Sequence, residues 1–280
     1  MLLHSLNQVV KGQVEKRPSK YCKTPYMADV LVDGEVGEVM AHSPSLGCCG
    51  LVDSGSHIIM TEHSGKKTKS THRVELAYYY DEYRNRSVVI GVNPKLSEIL
   101  VEKAMVSNCL RNLTQVRNYR REVKILNSRF DFAGKDEEGR DFVLEVKTVP
   151  LADYVDMSKK DKKKYVKEHK EELDAMDFDN KIAYFPDGYR KSGDAVVSPR
   201  ALKHIQELEE LVKTTEMRAI LCFVVQREDV ALFQTSNIDP TYKAAVKQAH
   251  ENGVEIMVLQ LRWTEEGHCY FVRNDLPISL

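Results

Sequence analysis

Two neighbouring stretches decide the fold of this chain: Arg129-Phe-Asp-Phe132 and Phe142-Val-Leu-Glu-Val-Lys-Thr-Val149. Both are rich in aromatic and β-branched residues, with charged residues interspersed, a pattern that is typical of β-strands. The polar segment Gly134-Lys-Asp-Glu-Glu-Gly139 between them predicts a tight return of the chain. The sequence therefore predicts two adjacent strands joined by a turn.

One face of this strand pair collects residue types that can hydrolyse a phosphodiester. Side chains alternate across a strand, so Glu145 and Lys147 project to one face, and the return of the chain brings Asp131 beside Glu145. Two adjacent carboxylates repel each other unless a divalent cation neutralises them. Mg²⁺ or Mn²⁺ suits such oxygen ligands, and the backbone carbonyl of Val146 is a candidate third ligand.

Lys147 completes the predicted chemistry. Its ammonium would stabilise a metal-bound hydroxide and the negative charge that develops on the phosphate. Facing a polar cleft, Lys147 would have no packing role, so we expect its replacement to change stability little. The alternative is an exposed Glu-x-Lys ion pair without function. The apolar neighbours Leu144, Val146 and Val149 favour a buried strand, in which charges are seldom incidental.

Away from this pair, the hydrophobic pattern divides the chain in two. Residues 27–90 form a succession of short predicted strands separated by Gly, Ser and Lys loops, which favours a small barrel or sandwich. Beyond Pro199, helical patterns alternate with continuous apolar runs, which favours a mixed α/β sheet flanked by helices. We predict a first domain at 1–88 and a second at 89–280.

The segment 151–180 looks like an insertion in the second domain. Seven lysines fall within residues 159–170, and acids follow at 168, 171, 172 and 174. One interpretation is a solvated helix or mobile loop with i,i+4 ion pairs. The other is a basic flap that covers nucleic acid.

Composition sets limits on the class of protein. With 42% hydrophobic and 30% charged residues, the chain should fold as a globular protein. A formal net charge of −1 argues against a protein that coats nucleic acid, but a local basic groove remains compatible with it. No apolar run approaches the roughly 18 residues of a membrane span, and the N-terminus does not resemble a secretory signal. The six cysteines contain no C-x-x-C pair, so we predict free thiols in the reducing cytoplasm.

Cationic residues near the strand pair predict contacts with phosphates. An arginine strip precedes the first strand, and a second group begins the helix after Pro199, where backbone N–H groups favour phosphate. The predicted nucleic-acid-binding residues are Arg117, Arg120, Arg129, Arg200, Lys203 and His204. A solvated surface run is the alternative for the strip, and a histidine bonded to a carbonyl is the alternative for His204.

Several ordered segments resemble the sugar fermentation stimulation protein A (SfsA) family. The shared segments are Met27-Ala-Asp-Val30, Val92-Asn93, Glu122-Val123, Ser128-Arg-Phe-Asp-Phe132, Leu144-Glu-Val-Lys-Thr148, Tyr184-Phe-Pro-Asp187, Arg200-Ala-Leu-Lys-His-Ile205 and Gly253-Val-Glu-Ile256. The resemblance implies an N-terminal OB-like β-barrel, a PD-(D/E)XK nuclease-like domain, DNA binding and, in some members, nuclease activity. It also implies that Asp131, Glu145 and Lys147 form the catalytic triad, with Glu122 a nearby acid.

The chain departs from the family pattern at three places. The loop 42–47, His-Ser-Pro-Ser-Leu-Gly, lacks the Asn and Thr of the family. Either Asp187 or Asp194 matches the family aspartate, because a short insertion separates them. Lys103 takes the place of the usual helix acid, next to Glu102.

These observations predict a nucleic-acid-binding protein with a metal-dependent nuclease site, with Mg²⁺ or Mn²⁺ as cofactor and DNA favoured over RNA. The alternative is a DNA-binding regulator that keeps the nuclease fold without catalysis. The intact Lys147 favours the enzyme, because binding alone does not need a lysine beside two carboxylates. An interaction protein unrelated to nucleic acid would leave the triad unexplained.

Overall fold

The computed structural model describes residues 1–44, 50–62, 69–82, 84–116, 118–187 and 196–280. The strands are β1 (Leu2–Ser5), β2 (Val9–Lys16), β3 (Met27–Val32), β4 (Glu38–His42), β5 (His57–Glu62), β6 (His72–Asp81), β7 (Arg86–Gly91), β8 (Asn118–Ile125), β9 (Ser128–Lys135), β10 (Asp141–Val149), β11 (Ala152–Asp153), β12 (Lys181–Phe185), β13 (Arg218–Val225), β14 (Val230–Thr235), β15 (Glu255–Trp263), β16 (His268–Arg273) and β17 (Ile278–Ser279). The helices are α1 (Pro94–Val106), α2 (Lys159–Glu168), α3 (Lys170–Ala175), α4 (Pro199–Thr214) and α5 (Pro240–Glu251). The fold is mixed α/β. Arg117, Asp194 and positions 45–47 of the loop 42–47 lie outside the described residues.

The chain divides into two compact units, each built from segments distant in sequence. Unit 1 contains Met1–Leu100, Gln226–Glu228 and Leu261–Val272. Unit 2 contains Val101–Val225, Asp229–Gln260 and Arg273–Leu280. The domain boundary at residue 88 stays a prediction.

Unit 1 is organised around a six-stranded sheet with the order β4-β3-β2-β5-β6-β7. β4 and β6 make an additional parallel contact at Ala41 opposite His72 and His42 opposite Arg73. The strands nevertheless do not form the closed barrel that we predicted. The buried side chains of this sheet, such as Val30, Ile58 and Val74, form a separate hydrophobic core.

In unit 2, the strands run in the order β15-β13-β10-β9-β8. β13 lies at the centre, parallel to both β10 and β15, and its residues from Ala219 to Val225 are buried. A continuous apolar run is what a parallel strand covered on both faces requires. β9 pairs antiparallel with β10 and with β8, so β8 is the last strand in this direction.

Helix α4 covers the core of this sheet and begins at a well-defined cap. The Ser198 side chain accepts the N–H of Ala201, and Pro199 occupies the first turn, where its missing N–H has no cost. Ile205, Leu208 and Leu211 are buried on one face of α4 and belong to the hydrophobic core of unit 2. This helix is one of the helical patterns predicted beyond Pro199.

A second sheet in unit 2, with the order β11-β12-β14-β17, was not anticipated. Its β12 and β14 are parallel, and β11 lies within the predicted insertion 151–180. The lysine-rich part of that insertion folds as α2, whose N-cap is Ser158. Beside β12, the fully buried side chains of Lys181 and Asp229 form an ion pair of 3.0 Å.

A cluster of charges joins the turn after β9 to the start of β13. Asp136 accepts hydrogen bonds of 2.9 Å from both Arg140 and Arg218, and Arg218 also donates to Glu255 at 2.7 Å. Burial raises the pKa of Asp136, but the bonds from Arg218 and Arg140 outweigh it and lower the value to about 2. The cluster therefore holds a charged carboxylate in a nearly buried position.

None of the described helices is long and apolar enough to cross a membrane. Among the described cysteines, Cys22, Cys109, Cys222 and Cys269 are free thiols.

Candidate active site

Strands β9 and β10 pair as predicted, and their pairing ends next to the candidate site residues Asp131 and Glu145. Pairing of β9 with β10 ends at Phe132 opposite Leu144. The next residue of β9, Asp131, directs its carboxylate to β10 and accepts the backbone N–H of Val146 at 2.7 Å. Asp131 is therefore bonded to the residue between Glu145 and Lys147. That Asp131 and Glu145 share one metal ion stays a prediction.

Glu122 belongs to β8, which pairs with β9 on the edge opposite to β10, and it lies beside Asp131. In the β8–β9 ladder, Arg121 pairs with Phe132 and Val123 with Phe130, which brackets Glu122 and Asp131 opposite each other. Carboxylate oxygens of the two residues lie within 4.8 Å of each other. Glu122 has a φ of 54°, which non-glycine residues rarely adopt and which is common at functional sites.

Glu145 is buried, and two side chains contact the same oxygen of its carboxylate. The side chain of Lys147 and the Nδ1 atom of His204 both contact Oε1. Oε2 is buried and has no hydrogen-bond partner among the described residues. Burial raises the pKa of Glu145, but the hydrogen bond from His204 and the charge of Lys147 outweigh it and lower the pKa below the ordinary value. The carboxylate is therefore held in its charged form.

The structure places Lys147 and His204 in surroundings that differ from those expected from the sequence. The side chain of Lys147 is only 11% exposed and is paired with a buried carboxylate, so it does have a structural role. His204 is 3% exposed and its ring packs on Phe130 with 5.7 Å between ring centroids, so it does not present a surface to nucleic acid. His204 instead supports Glu145 from α4.

Tyr242 is a neighbour of the site that the sequence did not indicate. It is fully buried in α5, and its hydroxyl has no partner among the described residues. Burial raises the pKa of Tyr242 well above its usual range, and the charge of Glu145 raises it further. No motif or spacing marks this tyrosine, because only the packing of α5 against the sheet brings it near Glu145.

Glu102, the neighbour of the position at which Lys103 replaces the usual helix acid, has local partners in unit 2. Glu102 accepts the hydroxyl of Tyr119 and a guanidinium N–H of Arg121, each at 3.0 Å. These contacts attach α1 to β8. Arg121, beside Arg120 on β8, is therefore paired with an acid of the same unit.

The other predicted phosphate contacts lie on the surface of unit 2. Arg129 is 65% exposed and forms an ion pair of 2.5 Å with Glu122. Lys203 donates to the carbonyl of Asn127 at 2.8 Å, and Arg200 is exposed in the first turn of α4. Arg129 therefore brings an exposed cation into contact with Glu122, beside Asp131.

An open groove runs along β8 and the neighbouring part of β9. Its volume is about 680 Å³, and its polar lining includes Arg120, Lys124, Lys135 and Asp141. Lys135 and Asp141 neutralise each other at 2.8 Å, which leaves Arg120 and Lys124 as the source of its positive charge. Lys124 pairs with Arg129 across the two strands. Because Arg129 also pairs with Glu122, the groove lies next to the acids Glu122 and Asp131.

Comparison with known proteins identifies relatives of this chain. The family model described as sugar fermentation stimulation protein RE domain matches residues 95–267. A sugar fermentation stimulation protein homolog from Roseobacter denitrificans is 28% identical over 258 residues, covering 91% of this chain and 92% of that protein. A homolog from Geobacter sp. (strain M21) is 30% identical over 243 residues, covering 85% of this chain and 86% of that protein.

A solved structure has the same fold. The structure of Pyrococcus furiosus SfsA in complex with Ca²⁺ aligns over 100% of both chains, with a TM-score of 0.74 and 19% sequence identity. The protein is thus one of the mixed α/β proteins with the SfsA fold. The chain belongs to the sugar fermentation stimulation protein family, which confirms the resemblance seen in its sequence.

Proposed function

We propose that this protein is a metal-dependent nuclease of the PD-(D/E)XK class that hydrolyses phosphodiester bonds in nucleic acid. One observation carries the proposal: the bond from Val146 N–H to Asp131 at 2.7 Å, which fixes one acid beside the Glu-x-Lys segment of a separate strand. Such chemistry needs neighbouring acids and a lysine close to one of them. Asp131 and Glu122 lie within 4.8 Å of each other, and Glu145 stands two residues before Lys147.

The donor set fits a hard divalent cation such as Mg²⁺ or Mn²⁺. Asp131 and Glu122 offer carboxylate oxygens within 4.8 Å of each other, and the Oε2 atom of Glu145 is a buried oxygen without a partner among the described residues. Such ions prefer oxygen ligands, and the carbonyl of Val146 is a further candidate. A bound ion would supply a hydroxide at neutral pH and Lewis acidity at the phosphate. The Pyrococcus furiosus relative was solved in complex with Ca²⁺, in line with a divalent-cation site.

The side chains of this site have separate roles in the proposed reaction. Lys147 provides a fixed positive charge next to Glu145, where it stabilises the additional negative charge of the transition state. Asp131 and Glu145 orient the reacting groups from two different strands. The low exposure of Lys147 and Glu145 strengthens these electrostatic interactions, because fewer water molecules screen them.

Nucleic acid is the proposed substrate, with DNA favoured over RNA. The groove along β8 offers Arg120 and Lys124, and Arg129 and Arg200 add exposed charge on the same unit. These cations fit a polyanion although the net charge of the chain is −1. Lys203 completes the proposed binding set.

A DNA-binding regulator without catalysis is the second candidate function. Its supporting observation is the engagement of Glu145, whose Oε1 atom is already bonded to both Lys147 and His204. A carboxylate held in this way also fits a site that has lost its catalytic activity.

The decisive experiment is a cleavage assay of the full chain with Mg²⁺ or Mn²⁺ on single- and double-stranded DNA and RNA. The wild type should cleave at least one substrate, and Asp131→Asn should lower the rate. Asp131→Asn should bind nucleic acid equally well or better, because it removes repulsion between a carboxylate and the phosphate. Absence of metal-dependent cleavage by the wild type on all four substrates would reject the nuclease in favour of the regulator.

A further inference from the structure

We propose that His204 is a positioning residue that determines which oxygen of Glu145 is available to a metal ion. The inference rests on the proposed function, because it assigns Glu145 as a ligand. It extends that function by giving α4, a helix outside the strand pair, a defined part in metal binding.

The position of His204 is set by the packing of α4. The helix buries one face in the core of unit 2, and the His204 ring lies on Phe130 of β9. This packing aims Nδ1 at Oε1 of Glu145. Since a carboxylate accepts hydrogen bonds, the contact requires a proton on Nδ1.

Two donors converge on the same oxygen. Lys147 and His204 both contact Oε1, while Oε2 is buried without a partner among the described residues. A buried carboxylate oxygen without a partner is unfavourable, and native structures seldom leave one unexplained. An ion bound at Oε2 would supply the missing partner, and the two donors on Oε1 keep the carboxylate from rotating away.

Another helical histidine shows what a purely structural contact looks like. His250, in the last turn of α5, directs its Nδ1 to the backbone carbonyl of Val254 at 3.1 Å. That contact closes a helix end and touches no carboxylate. His204 differs, because its partner is the buried acid of the candidate site.

The test is a titration of the full chain with Mn²⁺, in which bound and free ion are measured by electron paramagnetic resonance. Partners of ligating carboxylates typically contribute 10- to 100-fold in metal affinity, so His204→Ala should weaken Mn²⁺ binding by about that factor. His204→Asn should restore most of the affinity, because its amide nitrogen occupies the place of Nδ1. His204→Gln should not, because its amide lies one bond further out.

Two controls separate positioning from general damage. His250→Asn should leave Mn²⁺ affinity unchanged, and thermal unfolding of each variant should establish that it is folded. In an Glu145→Gln background, His204→Ala should have little further effect, because the residue it positions is already lost.

Several results would overturn the inference. These are a folded His204→Ala with wild-type Mn²⁺ affinity, a folded His204→Asn as defective as His204→Ala, or full additivity with Glu145→Gln. A wild type that binds Mn²⁺ but cleaves nothing would refute the nuclease and leave this test intact. A wild type that binds no Mn²⁺ would reject both.

Discussion

Replacement of Lys147 by alanine should affect both catalysis and stability, and the structure gives a magnitude for each. For catalysis, loss of one fixed stabilising charge typically lowers kcat by about 10²–10³-fold, or about 2.7–4 kcal/mol. For stability, the partner of Lys147 is Glu145, whose side chain is 4% exposed. Removing the only partner of a buried charge costs about 3–5 kcal/mol. Glu145 keeps its bond from His204, so we expect a smaller loss of about 1–3 kcal/mol.

The two effects can be measured independently. Urea unfolding gives the change in the free energy of unfolding, and single-turnover cleavage with Mn²⁺ at saturating substrate gives the rate in the folded protein. Lys147→Met is the matched variant, because it keeps most of the aliphatic chain and removes only the charge. Lys124→Ala, at an exposed lysine of the groove, is the control for a general loss of positive charge.

The pattern of the results decides between the candidate functions. We expect both Lys147 variants to lose the rate, while Lys124→Ala keeps kcat and loses affinity. Nucleic-acid affinity should change little in Lys147→Met, because the proposed binding set contains several other cations. A folded Lys147→Met that cleaves at the wild-type rate would refute the catalytic role of this lysine.

Three further perturbations test other parts of the structure. Replacing Arg120 and Lys124 together by alanine should weaken nucleic-acid binding. It should also reduce the slope of log K against log salt concentration by about 2, because each lost phosphate contact contributes about 0.9. An unchanged slope in a binding titration would exclude the groove as a binding surface. The pKa of Asp136 is about 2 in the folded protein and near 4 in the unfolded chain, so the charged carboxylate stabilises the fold above pH 4. About 2 kcal/mol of this stabilisation should be lost as the pH falls from 4 to 2. Acid unfolding of Asp136→Asn should lack this component, and an identical pH profile would contradict the assignment. Lys181→Met should cost about 3–5 kcal/mol because it breaks a fully buried ion pair, and the double variant with Asp229→Leu should recover most of this loss in urea unfolding. A double variant as unstable as the single one would show that the ion pair is not the cause.

Local pattern was enough to predict the elements around the site. The helical pattern predicted beyond Pro199 forms α4, and a continuous apolar run beyond it forms the buried strand β13. Periodicity succeeds there because each element buries one face or both in a core, and that requirement is written into consecutive residues. The short strands of the second sheet were missed because β11 and β17 have two residues each, too few for any period to appear.

The sequence by itself determined the acids, the lysine and the order of the strands that carry them. Alternation along β10 placed Glu145 and Lys147 together, and the short turn after β9 brought Asp131 within bonding distance of Val146. Only the tertiary structure decided the environment of these groups. His204 is 59 residues from Glu145 in sequence, and its role follows from the packing of α4 on the sheet, which turns a predicted surface residue into a buried donor. Spacing along a strand is fixed by local geometry, whereas burial and the choice of partner depend on contacts between segments that are distant in the chain.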